Sequence, residues 1–164
     1  MYTAEYWIKG LKLQEHPEGG YYRVSYESRE TISDRELSVS FDGRRPLATS
    51  IYFLLNNGQV SRFHRLLSDE LWYYHVGRPV MIFCIGRDGK LVIKKLGLNL
   101  CNGERPQVLV PGGTIFGSAP DGAGYSLAGC MVTHGFDFTD FELLSREYLL
   151  KQYPEYKRII YRLT

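Results

Sequence analysis

The chain has 164 residues, which suits one domain spanning residues 1–164 that buries roughly two thirds of its unfolded surface. Lys and Arg number 20 against 18 Asp and Glu, so a net charge of +2 supplies no basic field for a nucleic-acid partner. Apolar residues at 44% and charged residues at 23% exclude a disordered chain, and no apolar run approaches the roughly 20 residues of a membrane helix.

The first ten residues, MYTAEYWIKG, carry an acid and no apolar signal core, so no secretory leader is expected. They predict a short helix capped by Thr3, with Trp7, Ile8 and Leu11 on one side and Gly10 as its stop. After His16-Pro17-Glu18-Gly19-Gly20 the period changes to two. Tyr22, Val24 and Tyr26 alternate with Tyr21, Arg23 and Ser25, as in a half-buried strand.

Strand-like runs follow at 47–55, 60–66, 70–76, 80–85, 91–98 and 125–132. Met81–Ile85 is continuously apolar, which implies burial on both faces. Turn signals fall at Asp42-Gly43, Asn57-Gly58, Asp88-Gly89, Asn102-Gly103 and Asp121-Gly122, dipeptides suited to hairpins because both central positions need positive φ. A second helix is predicted over Phe141–Gln152, stopped by Pro154. Short strands at even spacing, with 13 Tyr to dress their faces, predict an antiparallel sandwich or barrel.

Soft metal ligands are limited to four His and three Cys. No C-x-x-C occurs and the Cys count is odd, so neither a disulfide framework nor a structural zinc site is expected, and the compartment reads as reducing and cytoplasmic. Cys84 and Cys130 sit in apolar runs as core thiols.

Chemistry concentrates in residues 58–77, GQVSRFHRLLSDELWYYHVG. Gly58, His64, Glu70 and Gly77 hold four anchors of a pattern that resembles the first motif of the cupin superfamily. Leu66 stands at that motif's second His. Pro111-Gly112-Gly113 resembles the start of its second motif, but Phe116 stands at the closing His. HPEGGYYR (16–23), IYFLL (51–55), FHRLLSDELWYYHVG (63–77), VPGGTIFGS (110–118) and GFDFTDFELLSREYLLKQYP (135–154) extend the match. Together they resemble a one-domain cupin family known mainly as a domain of unknown function. Ile115 and His134 depart from that family's usual Trp and Pro.

The resemblance implies an all-β cupin double-stranded β-helix, or jelly roll, with short N- and C-terminal helices, pairing as a homodimer. It implies a hairpin that points His64 and Glu70 into the lumen, as catalytic groups or as two ligands of an incomplete metal site for Zn, Mn, Fe or Ni. If the protein is an enzyme, isomerase or epimerase chemistry is the implied class.

Alternation sorts the neighbours. If Glu70 points inward, so do Trp72 and Tyr74, while His75 points out. Arg62 shares the His64 face and is a candidate anion contact, or a strand-end Arg reaching water. Arg23, Gln59, Ser61, Phe116 and His134 complete the candidate ligand contacts. A Tyr- and Arg-lined lumen suits a small polar or anionic ligand, such as a sugar or nucleotide-sugar derivative. His16 reads as architectural, held in a rigid Pro-Gly-Gly turn. Three readings stay open: a small-ligand pocket, a metal-dependent enzyme, and a non-catalytic structural dimer.

Overall fold

A computed structural model describes residues 2–33, 41 and 43–164. The chain opens on α1 (Ala4–Gly10), whose N-terminal backbone is capped as predicted: the Thr3 hydroxyl accepts from the Tyr6 N–H at 3.3 Å. Strands β1 (Gln14–Glu15), β2 (Tyr21–Glu27), β3 (Thr31–Ile32) and β4 (Arg45–Pro46) lead to β5 (Thr49–Leu55). Then come β6 (Ser61–Leu66), β7 (Asp69–Gly77), β8 (Val80–Ile85) and β9 (Leu91–Leu96). The last strands are β10 (Glu104–Arg105), β11 (Gln107–Val110), β12 (Ile115–Pro120), β13 (Ser126–Thr133) and β14 (Phe141–Leu143), followed by α2 (Arg146–Gln152) and α3 (Lys157–Arg162).

Two sheets form the barrel walls. One has the order β1-β2-β5-β13-β7-β11 and the other β10-β9-β8-β12-β6-β14, with β3 and β4 as a separate ribbon. Non-sequential neighbours make this a jelly roll, with antiparallel pairing throughout except for the short β9–β10 contact. Among the described residues no helix is long and apolar enough to cross a membrane.

Period-two alternation splits each strand between two cores. Phe53, Trp72 and Val132 of the first sheet meet Leu66, Ile82, Cys84 and Phe116 of the second inside the barrel. Phe63, Phe83, Ile85 and Ile115 point out of the second sheet and are roofed by Leu149, Ile160 and Leu163 of the C-terminal helices. Leu54 and Leu127 of the first sheet are covered by Ala4 and Leu13 at the N-terminus. Burying a side chain such as Phe63, at 0% exposure, contributes about 1.5–3 kcal/mol, so both helical covers stabilise the barrel as well as closing it.

Several expectations shift. Of the Asn-Gly and Asp-Gly signals, Asp88-Gly89 joins hydrogen-bonded neighbours, β8 and β9. Asn57-Gly58 and Asp121-Gly122 instead carry the chain from one sheet to the other, and Asn102-Gly103 precedes the parallel β10. Positive φ permits a sharp reversal without deciding which sheet receives the next strand. Asp42 lies outside the described residues. The run read as 47–55 is strand only from Thr49, and the run read as 91–98 ends at Leu96. Strands β11 and β12 were absent from the predicted runs.

The helix expected over Phe141–Gln152 starts at Arg146, because Ser145 caps it by accepting from Tyr148 N–H at 3.1 Å. Phe141–Leu143 is edge strand β14, paired with β6. Helix α3 follows the Pro154 stop and was not expected.

Candidate functional site

His64 and Glu70 both face the lumen, but not from a hairpin. β6 belongs to one sheet and β7 to the other, so the two side chains approach across the barrel. Leu67 and Ser68 carry the chain between sheets, and Gly77 closes β7 with φ 103° where a Cβ would strike the Tyr125 carbonyl.

Two more polar groups arrive from a segment read as architectural. The His16–Gly20 turn closes by Gly19 N–H to His16 O at 2.9 Å and His16 N–H to Gly20 O at 3.0 Å. Gly19 has φ 111° and presses on the Val60 carbonyl, leaving no room for a Cβ. The turn delivers His16 and Glu18 to the same cavity as His64 and Glu70. The i, i+2 spacing of His16 and Glu18 just before a strand was the available signal. The Pro-Gly-Gly context drew attention to the backbone and away from the side chains.

Hydrogen bonds fix the protons on both rings. His64 Nδ1 lies 2.7 Å from the Arg62 carbonyl, an acceptor, so Nδ1 carries hydrogen. Its Nε2 faces Glu18 Oε2 at 3.3 Å. A neutral ring offers a lone pair there, so the contact is favourable only with a proton shared between Nε2 and Glu18. His16 Nδ1 accepts the Glu18 backbone N–H at 3.2 Å, which places the neutral ring's hydrogen on Nε2. Glu18 Oε1 accepts the Ser61 hydroxyl at 2.8 Å.

The electrostatics follow from burial. His64, Glu18 and Glu70 are 2%, 6% and 7% exposed. Desolvation lowers His64, partly offset by the Arg62 carbonyl and the Glu70 charge. It lowers His16 as well, with Glu18 opposing and His64 adding. Desolvation raises Glu18, against His16, Ser61 and Arg62. Glu70 is raised to about 7, first by burial and further by Glu18, with His64, Trp72 and Cys130 opposing. Although Trp72 and Cys130 are its neighbours, Glu70 Oε2 and Trp72 Nε1 are buried with no hydrogen-bond partner among the described residues. Desolvation, with the Glu70 and Glu18 charges, also drives the Cys130 thiol well above its ordinary value, which disfavours the reactive thiolate.

The cavity above these groups measures about 120 Å³. Phe136, Phe138 and Phe141 wall one side, and Tyr22, Val24 and Ile51 the other. Val24 and Phe138 are half exposed at the mouth. Arg45, buried, grips Asp140 through two contacts at 2.8 and 2.9 Å and Thr139 at 2.9 Å, anchoring the segment that carries the Phe wall. Sequence reasoning missed Glu18 and this Phe wall.

The remaining candidates are sorted by their partners. Trp72 lines the cavity as expected. Tyr74 points inward as expected and packs against the barrel core, but its hydroxyl donates to the Gly77 carbonyl at 2.7 Å and it does not line the cavity. His75 points out, as expected, beside Tyr52. Arg23 lies on the outer face and donates to the Leu11 carbonyl at 2.9 Å. Arg62 is exposed and donates to the Pro17 and Glu18 carbonyls, so it clamps the His16–Gly20 turn instead of entering the lumen. Gln59 accepts the Asn56 N–H at 2.9 Å in the inter-sheet turn. Ser61 supports Glu18 from behind. Phe116 is buried under the His64 ring at 4.1 Å between centroids, as core. His134 sits against Phe41, and its carbonyl accepts from Ser68; its ring does not line the cavity.

These positions decide the fit of a metal. Leu66 lines the cavity and Phe116 underlies His64 where the cupin pattern places two His ligands. His64 already uses both nitrogens, on Arg62 and Glu18. Among the described residues no group of three or more His, Cys, Asp or Glu is arranged to hold a metal ion. The donor set does not fit a cupin metal centre.

Two β-sheets closing over an inward His on β6 and an inward Glu on β7 define a cupin barrel. The chain belongs to the cupin superfamily family DUF985, whose sequence profile matches residues 5–144. It is 50% identical to a Shewanella oneidensis protein of known crystal structure, with a TM-score of 0.89 over 100% of this chain and 98% of that one. A hypothetical protein from Leishmania major is 38% identical, with a TM-score of 0.90 over 99% of each chain. An uncharacterized protein of Saccharomyces cerevisiae is 28% identical over 88% of this chain and 76% of its own length. Oxalate decarboxylase from Bacillus subtilis shares the fold, with a TM-score of 0.55 at 18% identity over 92% of this chain and 36% of its own.

Proposed function

We propose that the lumen is a binding pocket for one small polar molecule, held at its polar end by Glu70, beside the His64–Glu18 pair, and along its body by the aromatic walls. The observation that carries this reading is the Glu70 carboxyl, buried with one oxygen unpartnered at the floor of a cavity. A buried polar atom left without a partner costs about 1–3 kcal/mol, and a ligand atom arriving there removes that cost. A cavity near 120 Å³ is of the order that accepts a benzene-sized molecule, so a nucleotide-sugar does not fit within it.

A second reading, proton-transfer chemistry of the isomerase kind, is favoured by one feature. A carboxyl near 7 beside a His whose Nε2 lies 3.3 Å from the Glu18 carboxyl is suited to general acid–base work at neutral pH. Binding without turnover uses the same pocket. Among the described residues, β2 is paired beyond β5 only by the two-residue β1, so residues 23–27 form an open edge. A second copy covering that edge is the expected assembly, checked by light scattering.

The test of the pocket is a small-molecule screen by thermal shift on the purified protein and on the His64→Ala and Glu70→Ala variants. Hits that stabilise the wild type and are lost in both variants support the reading. Hits that persist unchanged in both variants remove it.

A further inference from the structure

The charge around the lumen is one-sided. Glu18 and Glu70 sit at its floor and Glu27 near its rim. Among the described residues no Lys or Arg lines it. The arginines close in sequence are held elsewhere: Arg23 on Leu11, Arg62 on Pro17 and Glu18, and Arg45 on Asp140. The two histidines are held toward their neutral forms by burial. Above the carboxylates stand the faces and edges of Tyr22, Phe53, Trp72, Phe136, Phe138 and Phe141.

Carboxylates beneath aromatic rings form an environment that attracts a positive charge and rejects a negative one. An anion would meet two buried carboxyls with no cation to balance it. A sugar would meet more apolar wall than hydroxyl partners. A cation would sit on the unpartnered Glu70 oxygen, present its N–H groups to the carboxylates and lay its carbon skeleton along the Phe wall.

We propose that this pocket takes a small organic cation, a protonated amine of roughly benzene size, with its ammonium on Glu70 and Glu18 and its hydrocarbon against Phe136, Phe138 and Phe141. The proposal rests on the pocket reading and names the ligand class within it. It replaces the anionic or sugar ligand expected from an Arg-lined lumen. Burial holds Glu70 and Glu18 toward their protonated forms, and a cation arriving beside them works against that bias by favouring the charged carboxylates.

Three probes of one shape test it: benzylamine, benzyl alcohol and benzoate, titrated calorimetrically into the wild-type protein at neutral pH. Benzylamine is expected to bind at least about tenfold more tightly than benzyl alcohol, and benzoate not at all. In the Glu70→Gln variant, shown to be folded by its thermal denaturation, the preference for the amine over benzyl alcohol is expected to fall to near parity. Equal or tighter binding of the alcohol, or any preference for benzoate, overturns the cation and leaves the pocket standing. Binding of none of the three overturns both. An amine preference that survives in Glu70→Gln overturns the assignment of the ammonium to Glu70.

Discussion

Ser61 donates its hydroxyl to Glu18 across 2.8 Å, in a place where Ser61 is 0% exposed. One bond joins the N-terminal turn to β6 and holds the carboxyl that meets His64 Nε2. Removing the donor leaves Glu18 Oε1 buried without a partner, a cost of about 1–3 kcal/mol. Ser61→Ala is expected to destabilise the fold by that amount in urea denaturation. It is also expected to push the Glu18 carboxyl further up, read by carbon NMR of the side-chain carboxyl. An unchanged titration would mean that Ser61 does not set the state of Glu18.

Glu70 makes the stability of the protein depend on pH in an unusual direction. Folding raises its carboxyl from 4.5 to about 7, chiefly by burial. Between those values the folded state holds the proton and the unfolded chain releases it, so stability falls as pH rises through the window. Glu18 acts in the same sense. His16 and His64 are lowered on folding and act oppositely, removing stability as pH falls below 6.5. Glu70→Gln keeps the shape and deletes the titration. It is expected to match the wild type at pH 4 and to exceed it at pH 8 by about 3 kcal/mol. Urea unfolding at the two pH values checks this, and a variant no more stable than wild type at pH 8 would contradict it.

The strands were legible because alternation and the anchors Gly58, His64, Glu70 and Gly77 are local signals. The pairing of those strands was not. His64 and Glu70 looked like two arms of a hairpin because six residues separate them, whereas the turn between them crosses from sheet to sheet. Arg23 and Arg62 looked like lumen residues for a related reason. A strand pattern gives parity, but not which carbonyl lies close enough to capture a guanidinium. Glu18 and the Phe136–Phe141 wall were hidden because long-range packing brings them to the site from both ends of the chain.

Leu66 is the position where one substitution probes the fit of the donor set to a metal. It lines the cavity on β6, two residues beyond His64 and on the same face. Leu66→His would add a third imidazole near Glu18 and Glu70, giving the chain the three or four ligands that Zn²⁺ or Mn²⁺ requires. The wild type purified without chelators is expected to hold no stoichiometric transition metal after dialysis against Zn²⁺. Leu66→His is expected to gain about one equivalent, measured by elemental analysis. Stoichiometric metal in the wild type would restore the metal-dependent reading.

Asp140 holds the aromatic wall in place through Arg45. Both side chains are buried, at 7% and 4% side-chain exposure, and the guanidinium meets both carboxylate oxygens. Removing the carboxylate takes away two of the buried contacts of the guanidinium, so Asp140→Ala is expected to cost about 1–3 kcal/mol. Replacing it with Asn keeps part of the hydrogen bonding and is expected to cost less. The segment released carries Phe136, Phe138 and Phe141, so ligand affinity should fall in both variants, more steeply in Asp140→Ala. Thermal denaturation and ligand titration on the same samples separate the two effects. Lost stability with unchanged affinity would show that the Phe wall keeps its place without the ion pair.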